Sequence, residues 1–212
     1  IKTLILFLFL FNHTNGYITT KDNRLYNDRG AEVFFHGVNV VCKGYPWIPN
    51  TDVYDPRDSF TEKDVNYLVE WGFNAIRLGV MWPGLEPHKS VYNHTYLKKL
   101  EYIVNLCDKA NIHVILDFHQ DVLSNRFCGE GVPDWLEFSE NDTHKFPYPI
   151  DKDFVFKNGF PTKESCAKHN WVYYQFTQAA SRAYQDLYDN VNGIKDRFIM
   201  FWKKIAETFK RY

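Results

Sequence analysis

The sequence lacks an excess of charge of either sign, because 25 Lys and Arg residues stand against 26 Asp and Glu residues. Proteins that bind nucleic acids concentrate Lys and Arg in a patch or an arm, so we expect no nucleic-acid partner. With 45% hydrophobic and 18% aromatic residues, the chain is too apolar to be disordered and can bury a core. The aromatic rings suit stacking on sugars, although an aromatic-rich core accounts for them as well.

No apolar run reaches the roughly 20 residues that a membrane-spanning helix needs. Lys2, an apolar run over residues 4–11 and the polar and small residues that follow are instead typical of a secretory signal peptide. We therefore predict a signal peptide over residues 1–16, in a protein that is secreted or lies in an endomembrane or lysosomal lumen. An N-terminal anchor or a buried strand is the alternative. Because the first residue is Ile1 rather than Met, we expect the N-terminus to be incomplete.

The chain is also poor in cysteine, with four residues. Cys42 ends an apolar strand-like run and Cys107 lies in a helical pattern, so both are expected to be buried free thiols. Cys128 and Cys166 lie in polar, loop-like sequence and could form a disulfide in an oxidising compartment, although the sequence alone does not prove that pairing.

Two Asn-X-Thr triplets, at Asn93 and Asn141, predict N-glycosylation of an exported chain. A third triplet, at Asn12, falls within or beside the predicted signal peptide and is discounted. Such triplets also arise by chance.

The periodicity of apolar residues predicts alternating strands and helices. A hairpin over residues 18–26 is followed by strands over 33–41, 74–80 and 113–118, with helices over 61–72 and 95–110 between them and over 172–189 and 194–211 after them. This alternation predicts βαβ units and a parallel sheet, which is an α/β fold. Residues 122–170 show no periodicity, and a loop of this length tends to be functional.

Ionisable residues cluster where the third predicted strand ends. Side chains on a strand alternate between faces, so Asp117, His119 and Asp121 should point the same way. Arg77 lies between apolar residues of the second predicted strand and needs a carboxylate partner there. Because strand ends carry the chemistry in barrels of parallel strands, these residues are candidates for a functional site. The alternatives are a structural ion pair for Arg77 and a structural hydrogen-bond network for the others.

His119 and Asp121 could hold sugar hydroxyls, because imidazole and carboxylate donate and accept hydrogen bonds in a fixed geometry. They could instead bind a metal ion, but zinc usually takes three or more protein ligands and no second His cluster with suitable spacing occurs. We therefore predict neither a metal nor a cofactor.

Four segments together resemble the endoglycoceramidases, which are secreted or lysosome-type enzymes of glycoside hydrolase family 5. The segments are residues 36–43 (HGVNVVCK), 72–87 (GFNAIRLGVMWPGLEP), 117–122 (DFHQDV) and 127–135 (FCGEGVPDW). The resemblance implies a (β/α)8 TIM barrel of the α/β class. It also implies hydrolysis of the β-glycosidic bond that joins an oligosaccharide to ceramide in glycosphingolipids.

The resemblance also implies roles for particular residues. Arg77 and His119 are expected to support the active site, and Lys43, His119 and Asp121 are expected to contact sugar. Trp135 and Trp171 are candidates for stacking on the substrate or lining its pocket, with a packed loop core as the alternative for each.

A retaining glycosidase needs an acid/base and a nucleophile carboxylate about 5 Å apart. The family places the acid/base Glu in an Asn-Glu-Pro motif at the end of the fourth strand. It places the nucleophile Glu at the end of the seventh strand. No Asn-Glu-Pro occurs in this sequence, and a complete barrel takes roughly 250 residues. We therefore expect residues 17–212 to be the N-terminal part of an incomplete barrel, with only the first three β/α units. Both catalytic Glu residues should then lie beyond the C-terminus and the chain alone should be inactive.

Glu86 and Glu130 lie in loops at the expected face of such a barrel. Neither has a neighbouring motif that suggests a catalytic role.

The partners implied are a ganglioside or neutral glycosphingolipid, transient contact with a membrane or micelle surface, and an activator protein. One alternative is a related family 5 β-glucosidase that acts on glucosylceramide or a steryl glucoside. The other is a truncated, non-catalytic product that binds glycolipid.

Overall fold

The computed structural model describes residues 18–139, 144–151 and 153–212. The predicted signal peptide and Asn141 lie outside these residues. The strands are β1 (Thr19–Lys21), β2 (Arg24–Tyr26), β3 (Gly37–Val40), β4 (Ala75–Gly79), β5 (His113–Asp117), β6 (Phe156–Lys157) and β7 (Phe160–Pro161), and the helices are α1 (Glu62–Glu70), α2 (Trp82–Leu85), α3 (His94–Lys109), α4 (Lys163–Cys166), α5 (Gln178–Asp189) and α6 (Ile194–Phe209). Residues 36–211 form one compact unit, and the hairpin at the start of the described chain belongs to another.

The predicted hairpin is confirmed. β1 and β2 pair antiparallel, with Thr19 opposite Tyr26. Asp22 and Asn23 connect them with φ angles of 51° and 60°. Two successive residues with a left-handed backbone conformation form the tight turn that matches the twist of the strands. Glycine tolerates this conformation most readily, and Asp and Asn come next.

The three-stranded parallel sheet of the second unit has the order β3-β4-β5, as the strand–helix alternation predicts. Asn39 lies opposite Arg77, and Arg77 lies opposite Ile115. The first of these strands is shorter than the predicted range of 33–41, because Val33 donates its N–H to Leu25 in the hairpin region instead. A Cβ at Gly37 would lie 1.8 Å from the carbonyl oxygen of Ala75, so glycine is required where β3 approaches β4.

The helices between these strands begin and end near the predicted positions. At the start of α1, Thr61 donates its N–H to Asp64, 2.7 Å away, which completes a capping box. Gly72, with φ of +76°, follows the end of that helix. Asn93 caps α3 by accepting a hydrogen bond from the N–H of Tyr96.

The hydrophobic core combines residues of the sheet with residues of helices α1, α3, α5 and α6. Ile76 and Leu78 of β4 are buried in this core, together with Leu100 and Ile103 of α3. Within the described residues β5 pairs with β4 alone, and Ile115 on β5 is 49% exposed. No helix in the described part of the chain is long and apolar enough to cross a membrane.

The segment after β5 is mostly irregular, as expected for residues 122–170. It contains a 3-10 helix over Asn125–Phe127, the β6–β7 hairpin and the short α4. The predicted helix over 172–189 is divided in two, because Thr177 has an extended backbone and caps α5 through its hydroxyl oxygen. A 3-10 helix, Trp171–Phe176, precedes that cap.

Candidate functional site

The polar cluster lies where the three parallel strands end. Lys43 follows β3, Arg77 lies on β4, and Asp117 is the last residue of β5. In α/β folds this edge is where side chains from different strands converge. The cluster predicted from the sequence is therefore built from three separate segments of the chain.

Asp117 joins β4 to the segment beyond β5. Its Oδ2 atom lies 2.8 Å from Nη2 of Arg77 and 3.1 Å from Nδ1 of His119. The carboxylate thus holds the Arg77 guanidinium in place and fixes the orientation of the imidazole ring. Because Nδ1 faces Asp117, the other ring nitrogen of His119 is turned toward the remainder of the cluster.

Asp121 continues the cluster toward β3. Its Oδ2 atom lies 3.8 Å from Nε2 of His119 and accepts a hydrogen bond from the Lys43 ammonium. Lys43 also lies 3.4 Å from Oε1 of Glu130. Nε2 of His119 is buried and has no hydrogen-bond partner among the described residues. A polar atom of this kind usually has a partner, so a ligand hydroxyl would complete its coordination.

Glu130 also belongs to the cluster, although the sequence predicts no role for this residue. It reaches the site because Asp121 and Glu130 form an isolated antiparallel bridge, which closes the loop between them. Val122 and Leu123 begin that loop with φ angles of 51° and 62°, a costly conformation for bulky residues. A Cβ at Gly129 would lie 1.9 Å from the Asp121 carbonyl oxygen, so only glycine fits beside the bridge.

The two neighbouring carboxyl groups of the cluster have pKa values that are shifted in opposite directions. Burial, reinforced by a hydrogen bond to Asp121, raises the pKa of Glu130 to about 7. Burial would also raise the pKa of Asp121, but hydrogen bonds from Lys43 and Glu130 outweigh it and hold that pKa below its ordinary value. Burial opposes the charge on Lys43, yet its bond to Asp121 and the charge of Glu130 raise its pKa. Below about pH 7 a proton therefore resides mainly on Glu130, beside an ionised Asp121.

Three groups of the cluster have the chemistry of metal ligands. Ligand atoms of His119, Asp121 and Glu130 all lie within 4.8 Å of one another. The Lys43 ammonium contacts both carboxyl groups, and a cation in that position repels a metal ion. The arrangement fits the binding of hydroxyl groups better than that of a metal.

The two predicted tryptophans lie in different surroundings. Trp171 is 47% exposed, and Nζ of Lys43 lies 5.9 Å from its ring centroid, so the ring borders the cluster. Trp135 donates its indole N–H to the carbonyl oxygen of Glu86 at 2.9 Å. Its ring lies edge-on to Trp82, 6.1 Å between centroids. The structure therefore brings Trp171 to the site and places Trp135 in the supporting aromatic packing.

Glu86 supports the surrounding loops. Its buried carboxylate accepts hydrogen bonds from the indole of Trp82 at 2.9 Å and from the N–H of Ser90 at 2.7 Å. A carboxylate that satisfies neighbouring donors in this way acts as a structural anchor.

A disulfide holds the loop that carries Glu130. Cys128 and Cys166 are bonded, with an S–S distance of 2.03 Å, which ties this loop to α4. Cys42 and Cys107 are free thiols, partly buried and buried respectively. Burial raises the pKa of Cys107 to about 12, so this thiol is unreactive at neutral pH.

Comparison with known proteins identifies the family. Residues 26–212 match the family model described as Cellulase (glycosyl hydrolase family 5). The chain belongs to glycoside hydrolase family 5. An endoglycoceramidase of Hydra vulgaris is 42% identical over 218 residues, which cover 99% of this chain and 42% of that protein. An endoglycoceramidase of Cyanea nozakii is 43% identical over 197 residues, covering 92% of this chain and 39% of that protein.

A solved structure shows the same fold for this family 5 chain. Endo-glycoceramidase II from Rhodococcus sp., in complex with a five-membered iminocyclitol, superposes with a TM-score of 0.61 at 23% identity. The match covers 87% of this chain and 38% of that structure. The chain spans about two fifths of the length of the curated relatives that it matches.

Proposed function

We propose that this chain forms the sugar-binding side of the active site of a glycosidase that separates an oligosaccharide from ceramide in glycosphingolipids. The observation that carries the proposal is the cluster formed by Lys43, His119, Asp121 and Glu130. It combines an ammonium, an imidazole nitrogen without a hydrogen-bond partner among the described residues, a carboxylate and a carboxyl group whose pKa is raised to about 7. Sugar hydroxyls both donate and accept hydrogen bonds, so they match such a set of groups.

The names of the relatives favour this substrate class. Two proteins called endoglycoceramidases share more than two fifths of their aligned residues with this chain. The aligned regions of these two proteins cover 99% and 92% of this chain. We carry their activity to this chain as a proposal, in the context of a (β/α)8 barrel to which the three β/α units described here contribute.

The proposed reaction retains the configuration of the sugar. It needs an acid/base and a nucleophile carboxylate on either side of the scissile bond, about 5 Å apart. The carboxyl groups of Asp121 and Glu130 both contact the Lys43 ammonium, and neither spans a gap in which a glycosidic oxygen is held in this structure by a second carboxyl group of matched role. We therefore assign them to sugar binding and propose that the 212-residue chain binds glycolipid head groups without cleaving them.

Two measurements test the function. The chain, incubated with fluorescent lactosylceramide in detergent micelles, should bind it and release no ceramide; robust turnover would contradict the assignment of Asp121 and Glu130. Protein purified from the source organism with an antibody against this chain should release an intact oligosaccharide, with retained configuration by NMR. Release of glucose from glucosylceramide or a steryl glucoside instead would favour the alternative β-glucosidase.

The proposed location is secreted or lumenal. The signal-like N-terminus supports it, as does the Cys128–Cys166 disulfide, because disulfides persist mainly in oxidising compartments. Contact with a membrane or micelle surface, an activator protein and N-glycosylation at Asn93 and Asn141 remain part of the proposal. Mass spectrometry of the protein isolated from its source would detect the glycans.

A further inference from the structure

Helix α5 contacts the turn that brings Asp121 and Glu130 into the cluster. We call residues 121–130, which the backbone bridge between Asp121 and Glu130 closes, the bridge loop. The hydroxyl of Tyr184, on α5, donates a hydrogen bond to Oε1 of Gln120 at 2.8 Å. Gln120 directly precedes Asp121 in the sequence, so α5 holds the chain at the entrance to the bridge loop.

The same oxygen atom of Gln120 stabilises the first turn of the bridge loop. Oε1 also accepts a hydrogen bond from the N–H of Leu123 at 2.9 Å. Val122 and Leu123 have left-handed φ angles of 51° and 62°, which bulky residues keep only where surrounding contacts hold them. Gln120 therefore connects Tyr184 to the strained turn that follows Asp121.

The packing around Gln120 leaves its side chain little freedom. A Cβ at Gly131 would lie 2.5 Å from Cβ of Gln120 and 2.8 Å from the carbonyl oxygen of Leu123. Leu123 is only 1% exposed, and its carbonyl oxygen accepts a hydrogen bond from the N–H of Val132 at 2.8 Å. Gln120 therefore has little room to find another donor when the bond from Tyr184 is lost.

Tyr184 is itself held firmly by its helix. Thr177 caps α5 by accepting a hydrogen bond from the N–H of Ala180, and Ala180 and Ala183 are buried in the core. The Tyr184 ring packs against the same core. Burial, with a smaller contribution from the charge of Asp121, raises the pKa of Tyr184, so its hydroxyl remains a donor at neutral pH.

A second bond joins α5 to a segment outside the bridge loop. The carboxylate of Asp186, which is only 3% exposed, accepts hydrogen bonds from the N–H of Ser139 at 2.7 Å and from its hydroxyl at 2.8 Å. This contact also fixes a loop to α5, but Ser139 is not a member of the bridge loop. It therefore separates an effect on stability from an effect on the cluster.

We propose that Tyr184 is a positioning residue for the cluster, acting through Gln120 on the turn that places Asp121 and Glu130. The proposal rests on the function proposed above, because it gives α5 the task of keeping sugar-binding groups in place. A contact with a structural role alone lowers stability and leaves the sugar affinity of the folded chain unchanged. A positioning contact changes that affinity, since displaced hydrogen-bonding groups fit a ligand less well.

The test measures lactose affinity by calorimetry in three single variants of the 212-residue chain. Tyr184→Phe should weaken lactose binding by about threefold to tenfold, the effect of one hydrogen bond between neutral groups. Tyr188→Phe removes a hydroxyl from an exposed tyrosine one turn further along the same helix and should leave the affinity unchanged. Ser139→Ala should lower the urea midpoint without weakening lactose binding by the folded chain.

A double variant tests the connection through Gln120. Gln120→Met removes the acceptor of both the Tyr184 hydroxyl and the Leu123 N–H and keeps a side chain of similar length. It should weaken lactose binding at least as much as Tyr184→Phe. Combining the two changes should cause no further loss, because both remove the same bond; additive losses would show that Tyr184 does not act through Gln120 and would overturn the proposal.

Amide exchange monitors the bridge loop in the absence of sugar. The N–H groups of Asp121, Leu123 and Glu130 should exchange faster in Tyr184→Phe than in Tyr188→Phe or the unmodified chain, whereas those of the core helix α3 should not. Unchanged exchange at these three groups, or unchanged affinity in a chain that binds lactose, would overturn the proposal. If the unmodified chain binds no lactose, the function proposed above fails, and the exchange rates alone decide whether Tyr184 positions the cluster.

Discussion

Asp121 and Glu130 are joined by two backbone hydrogen bonds. The N–H of each donates to the carbonyl oxygen of the other, at 2.9 and 2.8 Å, and the Lys43 ammonium contacts both of their carboxyl groups. The two backbone bonds keep the side chains close together, and burial beside Asp121 raises the pKa of Glu130 to about 7.

The first prediction is that Glu130 makes stability depend on pH. Its pKa in the folded chain is about 7, against an ordinary value of 4.5. For a carboxyl group with a raised pKa, the favourable contribution is complete below about pH 4.5 and is lost as pH rises through about 7. The urea midpoint of the chain should therefore fall between about pH 5 and pH 8, and Glu130→Gln should reduce that fall. An unchanged pH profile in this variant would show that the proton lies elsewhere.

The second prediction concerns Arg77. Arg77→Met leaves the carboxylate of Asp117 without its 2.8 Å partner, so the free energy of unfolding should fall by about 1–3 kcal/mol. Lactose affinity should also fall, since Asp117 orients His119. Arg24→Met is the matched control, because Arg24 forms an exposed pair with Glu32 in the hairpin and should cost less than about 1 kcal/mol. Equal effects of the two changes in urea titrations would contradict a special role for Arg77.

The third prediction concerns the disulfide. Cys128 and Cys166 are 38 residues apart in sequence, and closing a loop of that length stabilises the folded chain by about 3–4 kcal/mol in the chain-entropy model. Replacing both by Ser should lower the thermal midpoint and mobilise the loop that carries Glu130. Cys42→Ser provides the control, because Cys42 is a free thiol. Identical melting of the double variant and the control would show that the loop is held by other contacts.

The fourth prediction uses two glycines. Gly129→Ala would drive a methyl group into the Asp121 carbonyl, 1.9 Å from the added atom, so the Asp121–Glu130 bridge should open and the pH dependence described for Glu130 should weaken. Gly44→Ala meets no atom within 4 Å and should be tolerated. Amide exchange at Asp121 and Glu130 measures the bridge directly; protection retained in Gly129→Ala would refute the steric argument.

Part of this site could be predicted from the sequence. Asp117, His119 and Asp121 follow an apolar strand at alternating positions, and the structure brings them together because the spacing persists after β5 ends at Asp117. Arg77 was expected to need a carboxylate, and it contacts Asp117. Both inferences rest on local spacing, which a sequence shows directly.

Other features could not be predicted in this way. Glu130 reaches the cluster only because left-handed residues at Val122 and Leu123 turn the chain back on itself, and no periodic pattern signals such a turn. The signal available was the Cys128-Gly129-Glu130-Gly131 run, whose glycines indicate close backbone approach. The short helix α2 is absent from the helices predicted above, since proline and glycine rarely continue a helix, although proline suits its first turn.

The most direct test of the account is a saturation-transfer NMR titration of the 212-residue chain with lactose, comparing the unmodified chain with Asp121→Asn and with Asp28→Asn. Asp121 accepts the hydrogen bond of Lys43 at the centre of the cluster, whereas Asp28 is an exposed residue next to the hairpin. We predict transfer to lactose in the unmodified chain and in Asp28→Asn, and its loss in Asp121→Asn. Transfer that is absent from the folded, unmodified chain, or equal in all three proteins, would contradict the assignment of this cluster to sugar binding.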